Sequence, residues 1–129
     1  MTSPRRVSSG GPWEARYGYS RVAVAGDSAF VAGTTDAGPD GRSLHPGNPG
    51  GQAAAVLKII ERSLAEAGFA MADIVRTRMF VTHRSSVEAV LDVHGSVFGE
   101  IRPASTIVVV SELIDRTLLV EIEADARRA

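Results

Sequence analysis

An α+β fold is predicted by three features of this sequence: segments of period two, two amphipathic helices set between them, and one strand apolar on both sides. The final stretch alternates Val120, Ile122, Ala124 and Ala126 against Glu121, Glu123 and Asp125, which reads as a half-buried strand. The order strand, strand, helix, strand, helix, strand, strand (ββαβαββ) puts one layer of helices on a largely antiparallel or mixed sheet, a two-layer sandwich. At 129 residues the chain is one domain. Residues 1–16 read as a flexible N-terminal arm and 17–129 as the folded unit.

Taken in order, the arm is polar and rich in Gly, Ser and Pro. It holds the sole tryptophan, Trp13, which serves either as edge packing or as a plug against the domain or a neighbouring subunit. Tyr19 to Ala25 alternates Ser20, Val22 and Val24 against Arg21, Ala23 and Ala25. Gly26-Asp27 marks a turn, and Ala29-Phe30-Val31-Ala32 resumes the apolar run, so the pair reads as a hairpin. Asp36 to Gly51, dense in Gly and Pro, is a loop. Gln52 to Ala67 is the clearest helix: Ala53, Val56, Leu57, Ile60, Leu64 and Ala67 share one face, and Gly68 supplies the left-handed stop.

Asp73 to Thr82 alternates again, with Val75, Thr77, Met79 and Val81 opposite Arg76, Arg78 and Phe80. Ser85 with Glu88 three residues on has the spacing of a capping box. The helix it opens carries Val87, Val90, Leu91, His94, Val97 and Phe98 on its apolar face, and Gly99 ends it. Ile107 and Val109 on one face, with Val108 and Val110 on the other, leave the next strand apolar both ways. That pattern asks for burial on both faces. A single helix layer cannot provide it, so another subunit is the simplest source.

Composition narrows the function. Apolar residues make up 44% of the chain and charged residues 22%, and 14 Lys+Arg against 15 Asp+Glu give a net charge of -1. With no basic excess or stripe, nucleic acid is disfavoured as a partner. Zero cysteines remove thiol catalysis and thiolate metal sites. No apolar run approaches the roughly 18 residues that span a bilayer. Arg5 and Arg6 lack an apolar segment after them, so the start of the chain does not read as a secretory signal. The expectation is a cytoplasmic protein with no membrane partner.

Strong catalytic motifs are missing: there is no phosphate-binding loop, dinucleotide fingerprint or nucleophile elbow. His45, His83 and His94 fall in different elements. His94, on an apolar helix face, is either a hydrogen-bonded core or interface residue or a ligand contact. Among the acidic residues of the last strand, Glu121 stands nearest its apolar part. It is the first to be partly desolvated, and a desolvated carboxylate has a raised pKa and positions or deprotonates water.

Several segments, in order and with similar spacings, resemble the Rid (YjgF-type) family of reactive-intermediate deaminases, also labelled endoribonuclease L-PSP. They are Gly18-Tyr19-Ser20-Arg21, Val31-Ala32-Gly33-Thr34, the run from Ala67 to Thr82, Arg102-Pro103-Ala104-Ser105, and Val120-Glu121-Ile122-Glu123-Ala124. The resemblance covers nearly the whole chain after Gly18. It implies a chorismate-mutase-like fold and a homotrimer whose sheets form an inner barrel, with three clefts between adjacent subunits. It also implies hydrolysis of 2-imino or enamine acids to 2-keto acids and ammonia, without metal or cofactor. Carried across, Glu121 is the catalytic group that orients water, Tyr19 a ring and hydroxyl contact, and Gly33 a backbone beside the ligand. Ala32, Leu91, Ser105 and Ile107 line the rest of the substrate site, with Arg102 at its rim or at an interface.

The chain departs from the family at three of these positions. The arginine that clamps the substrate carboxylate maps to Ser105, an asparagine on the second helix to Leu91, and a serine to Ala32. Arginine binds a carboxylate through two charge-assisted hydrogen bonds of roughly 1.5–3 kcal/mol each, whereas serine offers one neutral donor. Arg102 is no equivalent, because along an extended strand an offset of three residues moves it about 10 Å and turns it to the other face. Two readings follow: an imine or enamine deaminase with an altered clamp for ligands lacking an amino-acid carboxylate, or a non-catalytic trimeric protein that binds a small metabolite. Ribonuclease activity, a label some relatives carry, fits poorly with the charge balance. Light scattering on the purified chain should return three times 13.6 kDa; a clean monomer at micromolar concentration rules the trimer out.

Overall fold

The computed structural model describes residues 4–129, and the first three residues of the expected arm lie outside the described residues. The strands are β1 (Arg6–Val7), β2 (Val22–Ala25), β3 (Ser28–Thr34), β4 (Ile74–Val81), β5 (Ala104–Val109) and β6 (Val120–Arg127). The helices are α1 (Glu14–Tyr17), α2 (Pro49–Glu66) and α3 (Val87–Phe98), with 3₁₀ turns at Met71–Asp73 and Arg84–Ser86. One six-stranded sheet runs β1-β2-β3-β6-β4-β5. Among the described residues only the β4–β5 pair is parallel, joined through α3, and the rest are antiparallel. The chain is therefore a two-layer α+β sandwich built on a mixed sheet.

The α2 face Ala53, Val56, Leu57, Ile60, Leu64 and Ala67 is buried as its periodicity requires. It packs with Val90 and Phe98 of α3 onto Val22, Val24, Ala29, Val31, Met79, Val81, Val120, Ile122, Ala124 and Ala126 of the sheet. Gly68 takes the left-handed conformation (φ 86°) and stops the helix. Helix α2 starts earlier than periodicity alone indicates: Asn48 caps it, Oδ1 accepting from the Gly51 N–H at 2.9 Å, with Pro49 in the first turn.

Four local expectations are corrected. Residues 6–16 are not a structureless arm, because β1 pairs with β2 (Arg6 opposite Ala23, Val7 opposite Val22), Val7 enters the core and Glu14 is buried in α1. Val75 is exposed and Ile74 buried instead, because a register irregularity between Ile74 and Arg76 shifts the alternation by one. No capping box forms at Ser85: residues 84–86 are a 3₁₀ turn, and Ser86 precedes α3 without a side-chain cap. Leu91 and Val97 stay exposed on α3, where Val93 packs inward.

Strand β5 lies at the sheet edge, and its two apolar faces are not both covered within the chain. Ile107 packs on the core, while Val108 and Val109 remain 43% and 48% exposed. At the other end, Gln52 ties two loops to α2. Its Nε2 donates to the carbonyls of His45 (3.1 Å) and Thr117 (2.9 Å), and its Oε1 accepts from the Leu119 N–H at 2.8 Å. The side chain is fully buried, so Gln52→Leu strands three backbone groups at about 1–3 kcal/mol each, partly relieved by water. Denaturant unfolding should show a loss of about 2–5 kcal/mol; a change below 1 kcal/mol would mean those groups find other partners.

Candidate functional site

The site is organised by Arg21, placed by period on the polar side of its strand yet buried in the structure. Its Nη1 donates to the Gly33 carbonyl at 2.6 Å and to Thr34 Oγ1 at 3.0 Å, and its Nε to Ser9 Oγ at 3.2 Å. Its Nη2 reaches Glu14 Oε2 at 3.3 Å. Glu14 in turn accepts from the N–H groups of Ser9 (3.2 Å) and Gly11 (3.0 Å) and from the Ser9 hydroxyl (2.6 Å). Burial pushes the Glu14 carboxyl upward, but the bonds from Ser9 and Gly11 and the Arg21 charge together hold it below its ordinary value. The result is a fixed N-terminal segment beside β3.

That segment and β3 enclose a cavity of about 370 Å³ into which Tyr19, Arg21, Gly33 and Glu121 all open. Gly33 is needed for close approach, since a Cβ there would overlap the Glu121 carboxylate. Trp13 forms part of the wall and lies over Gly41, where a Cβ would stand 3.1 Å from the indole ring. Residues Ala37, Gly38, Pro39 and Leu44 bring the Gly/Pro-rich loop to the mouth. Desolvation raises the Glu121 pKa above its ordinary value and Glu123 adds to the rise, with Arg21 opposing. A partly desolvated carboxyl thus stands on the cavity wall.

Tyr19, Gly33 and Glu121 line this one cavity, whereas Ser105, Ile107, Leu91 and Arg102 do not, and Ala32 lies with Tyr19 in a second groove. The sheet explains the separation. Ser105 pairs with Thr77 on the core-facing side of edge strand β5, whereas Glu121 pairs with Phe80 on the opposite face of β6, with β4 between. Ile107 packs on the core, Leu91 stands exposed on α3, and Ala32 borders a groove with Arg6, Tyr19 and Phe30.

Ser105 instead meets His94. Its Oγ lies 2.6 Å from Thr77 Oγ1 and 3.3 Å from His94 Nε2, which is itself 2.9 Å from Thr77 Oγ1. The His94 ring sits 4.6 Å from that of Phe98, and burial lowers its pKa, favouring the neutral imidazole. Arg102 opens into the same groove as His94 and Ser105. The expectation that its offset turns Arg102 away from Ser105 is therefore corrected: Arg102 sits in a left-handed turn (φ 56°) ahead of the strand, where strand alternation does not apply. No role for Arg21 or Glu14 was read from the sequence, and of the two readings of His94 the hydrogen-bonded one matches its contact with Thr77, a partner the sequence did not indicate. The signal available was Arg21 directly after Gly18-Tyr19-Ser20.

Over residues 12–128 the chain matches the family described as endoribonuclease L-PSP. A protein of Streptomyces coelicolor is 38% identical over 130 residues, covering 99% of this chain and 96% of that protein. A RutC family protein of Pyrococcus horikoshii is 31% identical over 84% of this chain and 85% of its own length. Among solved structures, a YjgF/YER057c/UK114 family member from Mycobacterium tuberculosis superposes with a TM-score of 0.85 at 43% identity, covering 95% of this chain and 98% of that one. The YjgF gene product of Escherichia coli gives 0.82 at 25% identity, covering 98% and 100%.

The raised Glu121 pKa has a measurable consequence. A carboxyl whose folded pKa exceeds its unfolded value contributes stability that is present below the unfolded value and lost as the pH rises through the folded one. Glu121→Gln should therefore melt higher than the wild type at about pH 8 and lose that advantage below about pH 4, where both states are protonated. An equal difference at both pH values would show that Glu121 ionises as in the open chain.

Proposed function

The chain belongs to the endoribonuclease L-PSP family, which includes the YjgF and RidA proteins, and from that premise we propose that it hydrolyses an imine or enamine intermediate. The carrying observation is the desolvated Glu121 carboxyl on the wall of a cavity of about 370 Å³ shared with Tyr19 and Gly33. In its ionised form Glu121 takes a proton from water as the water oxygen bonds to the imine carbon. Return of that proton to nitrogen makes an amine leaving group. Glu121 then passes the hydroxyl proton to that nitrogen as the C–N bond breaks, so ammonia leaves and the carbonyl product remains. No electrons are exchanged, so the reaction asks for no redox cofactor.

A cleft between subunits of a homotrimer would complete the site. Glu121, Tyr19 and Gly33 form one half, and Ser105 and Leu91 belong to an edge strand and helix too far across the sheet to reach them in the same chain. A neighbour's β5 would supply the second half and cover Val108 and Val109 at once. With serine at 105 hydrogen-bonded to Thr77 and His94, the position offers no cation to a substrate carboxylate. The same observation favours the second reading, a trimeric protein that binds a metabolite without turnover.

An assay that generates the imine in situ separates the two. On the enzymatic reading Glu121→Gln lowers kcat/KM by about 10²–10⁴-fold, and the short imine of 2-ketobutyrate is a poor substrate that Ser105→Arg improves. Turnover unaffected by Glu121→Gln would remove the carboxylate from the chemistry. No turnover of any imine, with saturable ligand binding, would favour the binding protein.

A further inference from the structure

We infer that the Glu121 cavity takes an anionic ligand with a large apolar body, its carboxylate held by Arg62 of α2; this rests on the small-molecule reading of the cavity and names the ligand class. Ile59 and Arg62, one helical turn apart on α2, both face the cavity. Arg21 is committed to Ser9, Glu14, Gly33 and Thr34. Arg62, by contrast, makes no side-chain hydrogen bond or ion pair among the described residues, which leaves its whole guanidinium fork for a carboxylate at the cavity edge.

The rim supplies the other half of the recognition. Leu44 and Ile114 stand 66% and 67% exposed, and each belongs to a different loop converging on the same opening. Trp13 and Ile59 extend that apolar surface inward. Two large aliphatic side chains left in water at the mouth of one cavity, with an indole behind them, are suited to an apolar substituent rather than to a short polar metabolite. Size agrees, since about 370 Å³ lies within the range of small-ligand pockets. Charge also agrees, because Glu121 on the wall disfavours a second carboxylate beside it and leaves Arg62 as the place for the anion.

Trp13 is the only tryptophan and lines this cavity, so its fluorescence is a probe placed at the site. The test titrates the whole protein with 3-phenylpropanoate, its neutral analogue 3-phenylpropan-1-ol, and propanoate. Expected are a saturable change with 3-phenylpropanoate and binding at least about tenfold weaker for the other two. Arg62→Gln, at an exposed helix position where circular dichroism checks the fold, should weaken 3-phenylpropanoate about 10- to 100-fold while leaving the alcohol unchanged. Equal affinity for acid and alcohol, indifference to Arg62→Gln, or no response of Trp13 because a second copy covers the rim each overturns the assignment. If 3-phenylpropanoate binds through Arg62 while no imine is turned over, the deaminase reading fails and the ligand assignment stands. If short 2-imino acids are hydrolysed and Arg62→Gln changes nothing, the reverse holds.

Discussion

The buried Arg21 guanidinium is the interaction on which the site end of this molecule depends. It draws Ser9 and Glu14 of the N-terminal segment onto the Gly33 carbonyl and Thr34 of β3. A lone buried cation would be costly, and it is tolerated because its donors are answered by a carboxylate, a backbone carbonyl and two hydroxyls. The consequence extends past the ion pair. With residues 9–14 held, Trp13 lies against Gly41, the 36–48 loop gains a wall to pack on, and a cavity exists beside Glu121. Loss of either partner would leave the other charged group buried alone, so Arg21 and Glu14 stabilise the fold and the site together.

Sheet order fixes what a single chain can assemble. With β4 lying between β6 and β5, residues of β5 are separated from Glu121 by a strand as well as by face. Parallel pairing of β4 and β5 through α3 turns Ser105 toward the helix layer, where Thr77 and His94 take up its hydroxyl. The same edge leaves Val108 and Val109 in water. On the proposed trimer, apposition of another subunit would cover this apolar edge and bring the second half of the site to Glu121 together.

On the resemblance, Ser105 stands where a clamping arginine would, and that difference bears on more than one contact. An arginine at this position would bring a charge beside His94 and Thr77, whereas serine closes a neutral hydrogen-bonded triangle with them. Burial keeps His94 toward its neutral form, consistent with that uncharged network. On the proposed reading, cationic recognition then passes from the β5 edge to Arg62 on α2, and substrate preference moves from the small and carboxylate-led to the large and apolar.

Local periodicity determined much of this protein on its own. The buried face of α2 from Ala53 to Ala67, its stop at Gly68, the inward Val120, Ile122, Ala124 and Ala126 of β6, and the two-sided β5 are legible because helix and strand repeats have fixed periods of 3.6 and 2. The place of Glu121 next to the apolar part of its strand was legible too, but Gly33 and the 9–13 segment, brought up from elsewhere in the chain, complete its desolvation. Tertiary structure alone decided the rest. A two-residue strand at Arg6–Val7 carries too little pattern to be read. The irregularity at Ile74–Arg76 moves every side chain before it by one step without any proline or glycine to announce it. The left-handed turn at Arg102 removes the alternation that a strand argument relies on. Arg21 is buried only because Ser9, Glu14, Gly33 and Thr34 converge on it from separate segments, and no local repeat records a convergence in space.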